Sequence, residues 1–147
     1  MKRALIFFLS VFFVTSVSFA QANNKLQIHF MDVGQGDGAL LISPLGETVL
    51  FDDGNGNDCS KPVSYLQNLG VTKIDYHIAS HYHADHIGCA PVVFGQFPLQ
   101  KKALDRGGSY NSATFRNYVA AVGDKRQTAT EGQVITLTVA FFVVLTG

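Results

Sequence analysis

Residues 80–86 are the part of this chain that is best suited to chemistry. They read Ser-His-Tyr-His-Ala-Asp-His and hold three of the five histidines in the sequence. Imidazole and carboxylate groups are ligands that zinc, manganese and iron accept. Residues two apart on an extended segment point the same way, so His81 and His83 can bind one cation together. Asp85 and His86 follow the expected turn and can reach a second cation.

Two neighbouring cations would make this segment part of a hydrolytic site. Paired metal ions activate water and hold the oxygens of the reacting group. The alternative is a polar loop that happens to be rich in histidine, but the order and spacing favour a metal site. The sequence therefore predicts two divalent metal ions. Zinc is the expected metal, and the same ligands leave manganese and iron open.

The elements around this segment are predicted to place it at the end of a strand. Residues 73–79 form the predicted strand, and sites in layered α/β folds lie at the carboxyl ends of strands. Earlier strands are predicted at residues 26–30, 38–42 and 48–52, with an antiparallel start. In the first of them apolar residues alternate with polar ones, so we expect a half-buried strand with His29 facing outward.

Helices are predicted on both sides of the histidine segment. Ser60 is the predicted N-cap of the first helix, and Gly70 its end. A helix is expected to begin near Asp85, with Pro91 limiting it, and another is expected between Ser112 and Gly123. Residues 134–145 are β-rich. This order predicts an α/β fold, a mixed sheet with helices packed on its outside.

The first twenty residues have the pattern of a secretory signal peptide. Lys2 and Arg3 precede an apolar run, and Ser18 and Ala20 supply the small residues of a cleavage site, with cleavage expected after Ala20 and, as the alternative, after Ala22. The run is short for a membrane span of about 20 residues, so an uncleaved anchor is the less favoured reading. We expect a secreted or periplasmic protein with one domain at residues 25–147 and no membrane contact after cleavage.

Charge and cysteine content narrow the function further. Eleven basic and eleven acidic residues give a formal net charge of zero, which argues against a stable nucleic-acid partner bound through a basic surface. In an oxidising compartment Cys59 and Cys89 can form one disulfide, which would stabilise the fold by about 3–4 kcal/mol in the chain-entropy model. Two buried thiols, or a thiolate ligand at Cys89, remain the alternatives.

Three further segments resemble a known family. Residues 30–37, Phe-Met-Asp-Val-Gly-Gln-Gly-Asp, are similar to the opening strand and loop of the ComEC-like, competence-protein branch of the metallo-β-lactamase fold. Residues 48–52 resemble its strand that ends in aspartate, and residues 79–88 its metal motif. The resemblance is strong from Leu26 to about Phe94 and implies the N-terminal part of an αββα fold.

The resemblance also implies roles for these residues. His81 and His83 would bind the first metal, and Asp85 and His86 the second, while Asp52 would orient histidine N–H groups from behind. Asp85 would also be catalytic by orienting the attacking water. The implied substrates are phosphodiesters, either DNA or nucleotides. A hydrolase of lactams, lactones or thioesters on the same fold is the alternative, because fold does not determine substrate.

The resemblance also implies a second half of the site, with a further histidine, a metal-bridging aspartate and a late histidine, and these ligands are missing from the sequence. No histidine follows His86, and the later acids are Asp105, Asp124 and Glu131, none in a convincing context. We therefore expect the front portion of a longer protein. Whether this chain is active stays open, and a non-catalytic domain is a further alternative. Asp32 and Asp37 flank a glycine loop that is expected to shape the floor of the site.

Overall fold

The computed structural model describes residues 22–138 and 140–143. The predicted signal peptide therefore lies outside the described residues. Within the described part of the chain, no helix is both long and apolar enough to cross a membrane.

One mixed sheet organises the molecule, with its strands in sequence order from β1 to β6. The first three strands are antiparallel, as predicted, and the next three run parallel to β3. The strands are β1 Gln27–Phe30, β2 Ala39–Ile42, β3 Thr48–Phe51, β4 Ile74–Ile78, β5 Leu99–Asp105 and β6 Arg126–Thr128. A separate hairpin joins β7 Val134–Leu137 to β8 Ala140–Val143.

Helices connect the parallel strands. They are α1 Ser60–Asn68, α2 Ala84–Ile87, α3 Ala90–Gln96 and α4 Ala113–Val122, followed by a short 3-10 helix at Gly123–Lys125. Ser112 caps α4 as predicted, because its hydroxyl accepts the Phe115 N–H at 3.0 Å. The prediction of a mixed α/β fold is confirmed.

The two faces of the sheet are covered differently. On one face, Leu40 and Leu50 pack in a large core with helical residues such as Leu66 and Val93. On the other face, a smaller core contains β7 residues and the alternate positions of the sheet: Leu41, Val49, Leu104, Ile135 and Leu137. The helices therefore lie on one side of the sheet and the hairpin on the other.

The predicted orientation of β1 is wrong. Ile28 is 56% exposed and Phe30 83% exposed, whereas His29 is partly buried and its Nδ1 lies 3.2 Å from the Tyr65 hydroxyl. The predicted alternation of apolar and polar residues along β1 is correct, but the polar residues face the helices. No local signal decides which side of an edge strand meets the larger core.

Two helix predictions also need correction. Ser60 is the first residue of α1 rather than its cap; Cys59 occupies the cap position, and the Ser60 hydroxyl donates to Asp58 instead. The helix expected near Asp85 is divided into α2 and α3. Pro91 lies in the first turn of α3, where a missing N–H costs nothing.

A disulfide between Cys59 and Cys89 joins the start of α1 to the start of α3, with 5.4 Å between the Cα atoms. Close backbone packing accompanies it: a Cβ on Gly88 would lie 2.2 Å from Gly56 N. The segment that follows the histidines is therefore tied to the loop that follows β3.

Candidate metal centre

The candidate site lies where β3 and β4 end side by side. Phe51 pairs with Ile78 in the parallel register, and Asp52 N–H donates to the Ile78 carbonyl at 3.0 Å. Asp52 and the histidine segment therefore leave the sheet at the same edge. The site occupies the strand ends, as in other layered α/β folds.

Asp52 is the buried carboxylate at the base of the site. Its Oδ1 accepts the Ser80 N–H at 2.8 Å, and its Oδ2 lies 2.6 Å from Ser80 Oγ and 2.8 Å from His86 Nδ1. Its φ of 48° is in the left-handed region, which costs a non-glycine residue about 1–3 kcal/mol. The surrounding hydrogen bonds hold this strained backbone in place.

The imidazoles predicted as ligands lie together above Asp52. The ring centroids of His81 and His86 are 3.9 Å apart, and those of His81 and His83 are 4.7 Å apart. His83 is exposed, while His81 and His86 are partly buried. The structure thus brings the predicted histidines into one cluster that solvent can reach.

Asp85 completes the predicted ligand set. Its Oδ1 lies 3.9 Å from His86 Nε2, and its Oδ2 accepts from Gln35 Nε2 at 3.4 Å. The glycine loop packs directly against it, since a Cβ on Gly36 would lie 1.7 Å from the Asp85 carbonyl oxygen. Any side chain at Gly36 would displace the backbone that carries Asp85.

Asp37 is closer to this cluster than the sequence suggested. Ligand atoms of Asp37, Asp52 and His86 all lie within 4.8 Å of one another. The Asp37 side chain is 80% exposed, and its Oδ2 is 3.8 Å from His86 Nδ1. The glycine loop therefore brings a carboxylate close to Asp52 and His86. By contrast, the Asp32 side chain is 90% exposed and lies 3.8 Å from Lys61 Nζ.

Electrostatics favour a neutral imidazole at the centre of the cluster. Burial, together with the neighbouring His86 and His83, holds the pKa of His81 below its ordinary value. A metal ligand must present an unprotonated nitrogen. His81 is therefore ready to bind a cation over a wider pH range than a free histidine.

The remaining histidines lie outside the cluster. His77 is fully buried, its ring contacts Phe94, and its Nε2 is 3.4 Å from Asp53 Oδ2. Asp53 also accepts the Cys89 N–H at 2.7 Å, and burial raises the pKa of its carboxyl group. The His77 ring is therefore packed in the core, but neither of its nitrogens has a hydrogen-bond partner among the described residues. Asp53, to which the sequence assigned no role, is the carboxyl group beside it.

An apolar cleft flanks the cluster. Its volume is about 420 Å³, and it runs from Ile28 and Phe30 to Asp52 and Ser80. The exposed apolar face of β1 therefore continues to the edge of the candidate site.

The sequence matches a known protein family over most of the described chain. The family described as Metallo-beta-lactamase superfamily matches residues 31–126. This range is more than half of the sequence, and the chain belongs to that superfamily. No curated protein sequence matches the chain.

Solved structures show the same fold. Rm3 metallo-beta-lactamase is similar with a TM-score of 0.59 and 16% identity, over 86% of this chain and 50% of that one. MEM-A1, a subclass B3 metallo-beta-lactamase from a soil metagenome library, is similar with a TM-score of 0.56 and 16% identity. The match covers 75% of this chain and 46% of that one. A metallo-beta-lactamase mutant from Cronobacter sakazakii has a TM-score of 0.54 and 20% identity. The match covers 75% of this chain and 47% of that one. This chain spans about half the length of these structures.

Proposed function

We propose that this protein is an exported metal-dependent hydrolase of the ComEC-like branch, in which two divalent cations activate water to cleave phosphodiesters. The observation that carries the proposal is the cluster of His81, His83, Asp85 and His86 over the buried Asp52 carboxylate, at the strand ends of a metallo-β-lactamase fold. Clustered imidazole and carboxylate donors are the chemistry that such cations require.

We assign the donor set to two cations. In this proposal His81 and His83 bind one ion, and Asp85 and His86 bind the other. Each ion then has two protein donors from this segment, whereas catalytic zinc usually has three. Asp37 adds a carboxylate 3.8 Å from His86, on the Nδ1 side of the ring that also faces Asp52. Zinc is the proposed metal, and manganese and iron are tested beside it.

The protein's own side chains have distinct tasks. When bound, paired cations lower the pKa of water to about 7 and offset charge on the reacting group. Asp85 orients the attacking water. Asp52 accepts a hydrogen bond from His86 Nδ1–H and so leaves Nε2 as the atom that would bind the metal. Ser80 links this carboxylate to a second imidazole, because its Oγ is 3.1 Å from His81 Nδ1.

Two features support a phosphodiester substrate. A pair of cations suits the negative charge of a phosphate group. The exposed Arg106 follows β5, with its guanidinium 4.4 Å from the centre of the Tyr82 ring, and guanidinium matches phosphate geometry. The glycine-loop resemblance of residues 30–37 points to the same substrates, either DNA or nucleotides.

Export is supported by two independent features. Lys2 and Arg3 precede an apolar run that ends in small residues. The Cys59–Cys89 disulfide suits an oxidising compartment. Fractionation of the producing cells, with detection of the shortened chain, tests this part of the proposal.

The activity test uses the full chain loaded separately with zinc, manganese or iron. Bis-nitrophenyl phosphate, plasmid DNA and nitrocefin are the substrates. We expect turnover of the two phosphodiesters, and loss of both metal uptake and turnover in His83→Ala. His29→Ala is the matched control, because His29 lies on β1 outside the cluster, and it should retain both properties.

Each contrary result has a definite meaning. Full activity in His83→Ala would refute the assigned site. Cleavage of nitrocefin alone would favour the lactam hydrolase. Less than one tightly bound ion per chain, without turnover, would favour a non-catalytic domain.

A further inference from the structure

Tyr82 stands between two proposed ligands but points the opposite way. Its side chain is 1% exposed, whereas His81 is partly buried and His83 is exposed. His83 has extended backbone angles, and alternate residues on an extended segment face opposite sides. The Tyr82 side chain therefore points into the core, while the side chains of His81 and His83 point outward.

The Tyr82 hydroxyl ends in a buried polar network. It lies 2.8 Å from both Asp105 Oδ1 and the Gly107 carbonyl oxygen, and it accepts from Arg126 Nη2 at 3.0 Å. Arg126 also donates two hydrogen bonds to the Asp105 carboxylate, from Nε at 2.7 Å and from Nη2 at 3.2 Å. A charged, two-point contact of this kind is geometrically specific, so the network fixes the phenol oxygen.

The network connects the histidine segment to rigid elements. Asp105 is the last residue of β5, and Arg126 is the first residue of β6. The Tyr82 ring is also packed on Phe115 of α4, with 4.5 Å between ring centroids. The turn that carries His81 and His83 is therefore attached to two strand ends and a helix through the side chain between them.

A second phenol provides a comparison within the same network. Tyr118 is fully buried on α4, and its hydroxyl donates to Asp105 Oδ2 at 3.1 Å. It contacts the same carboxylate as Tyr82 but belongs to a helix outside the histidine segment. Loss of the Tyr118 hydroxyl should weaken the network without releasing the turn.

We propose that Tyr82 is a positioning residue, whose phenol, held by Asp105 and Arg126, orients His81 and His83 toward a divalent cation. This inference rests on the proposed metal centre. Groups that orient metal ligands typically change metal affinity by about 10–100-fold when they are removed. The Tyr82 hydroxyl acts at one remove from the imidazoles, through the backbone of the turn.

The experiment compares Tyr82→Phe with Tyr118→Phe in the full chain. Zinc affinity is measured by competition with a chromophoric chelator, and imidazole signals of the metal-free protein are followed by ¹⁵N NMR. We expect Tyr82→Phe to weaken zinc binding at least tenfold and to broaden or split the His81 and His83 signals. The His77 signals should not change. Tyr118→Phe should keep zinc affinity within twofold and leave the His81 and His83 signals intact.

Two outcomes would overturn the inference. One is unchanged zinc affinity and unchanged His81 and His83 signals in Tyr82→Phe. The other is equal losses in both variants, which would show a general effect of the network on stability. If the wild-type chain bound no zinc, the metal centre itself would fail, and the NMR comparison would still decide whether Tyr82 orders the two imidazoles.

Discussion

The Asp52 carboxylate is already occupied by protein donors. Ser80 contributes a backbone N–H and a hydroxyl, and His86 contributes a ring nitrogen within 2.8 Å. A carboxylate has about four acceptor positions, so these three contacts use most of its capacity. This arrangement favours an orienting role over direct binding of a cation.

Replacing Asp52 with Asn should therefore reduce metal affinity while the protein remains folded. Asn offers one acceptor oxygen instead of two, so the contact to Ser80 or the contact to His86 is lost. We expect affinity for zinc to fall by about 10–100-fold, measured by chelator competition. Asp32→Asn is the control, because the Asp32 side chain is 90% exposed on the glycine loop. Unchanged affinity in Asp52→Asn would contradict the orienting role.

Residue types and spacing were sufficient to nominate the histidine cluster but not its supports. His81, His83 and His86 are close in sequence, so a short extended segment and one turn bring them together. Asp105 and Arg126 support this segment from distant positions, and their contact depends on the parallel register of β5 and β6. Such a register cannot be read from either segment alone.

Elements were predictable where pattern and local context agreed. The α4 helix has apolar residues at helical spacing between Ser112 and Gly123, and it was predicted correctly. The β5 strand was missed because its middle residues, Gln100 to Lys102, are exposed and polar. Its place in the sheet is determined by hydrogen bonding to β4 and β6, which propensity does not report.

The disulfide should stabilise the connection between α1 and α3. Thirty positions separate Cys59 and Cys89, and closing such a loop contributes about 3–4 kcal/mol in the chain-entropy model. We expect the reductant TCEP to lower the urea midpoint of the wild-type protein. The Cys59→Ala/Cys89→Ala variant should unfold near the reduced midpoint, whether or not TCEP is present. Identical wild-type unfolding curves in both conditions would exclude a stabilising bridge.

At the scale of the described molecule, three of its four buried aspartates lie at the carboxyl ends of parallel strands, and the fourth, Asp75, lies near the start of β4. Asp52, Asp53 and Asp105 are all nearly inaccessible to solvent, and each follows or ends a parallel strand beside the histidine segment. Burial of a carboxylate requires compensating donors. Asp105 has the most extensive set, with the Arg126 guanidinium, Gly107 N–H and two phenols. The stability of this edge should therefore depend on pH.

The pKa of Asp105 determines how the stability of this edge changes with pH. Burial alone would raise its pKa, but the hydrogen bonds from Arg126, Gly107 and Tyr82 outweigh burial and hold the pKa of the carboxyl group below its ordinary value. An aspartate in an unfolded chain titrates near pH 3.9. The ionised group therefore stabilises the fold fully above about pH 5, and this contribution is lost as pH falls through the lower folded-state pKa.

Asp105→Asn should be destabilised by about 3 kcal/mol at pH 7, because Arg126 loses its anionic partner. The difference in unfolding free energy between wild type and variant should narrow as pH falls below about 4, where the unfolded aspartate becomes protonated. Urea unfolding at pH 7, 5, 4 and 3 measures both quantities. Asp124→Asn, at an exposed position, should follow the wild-type curve throughout. A difference for Asp105→Asn that stays constant to pH 3 would show that the ionised carboxylate is not what stabilises these strand ends.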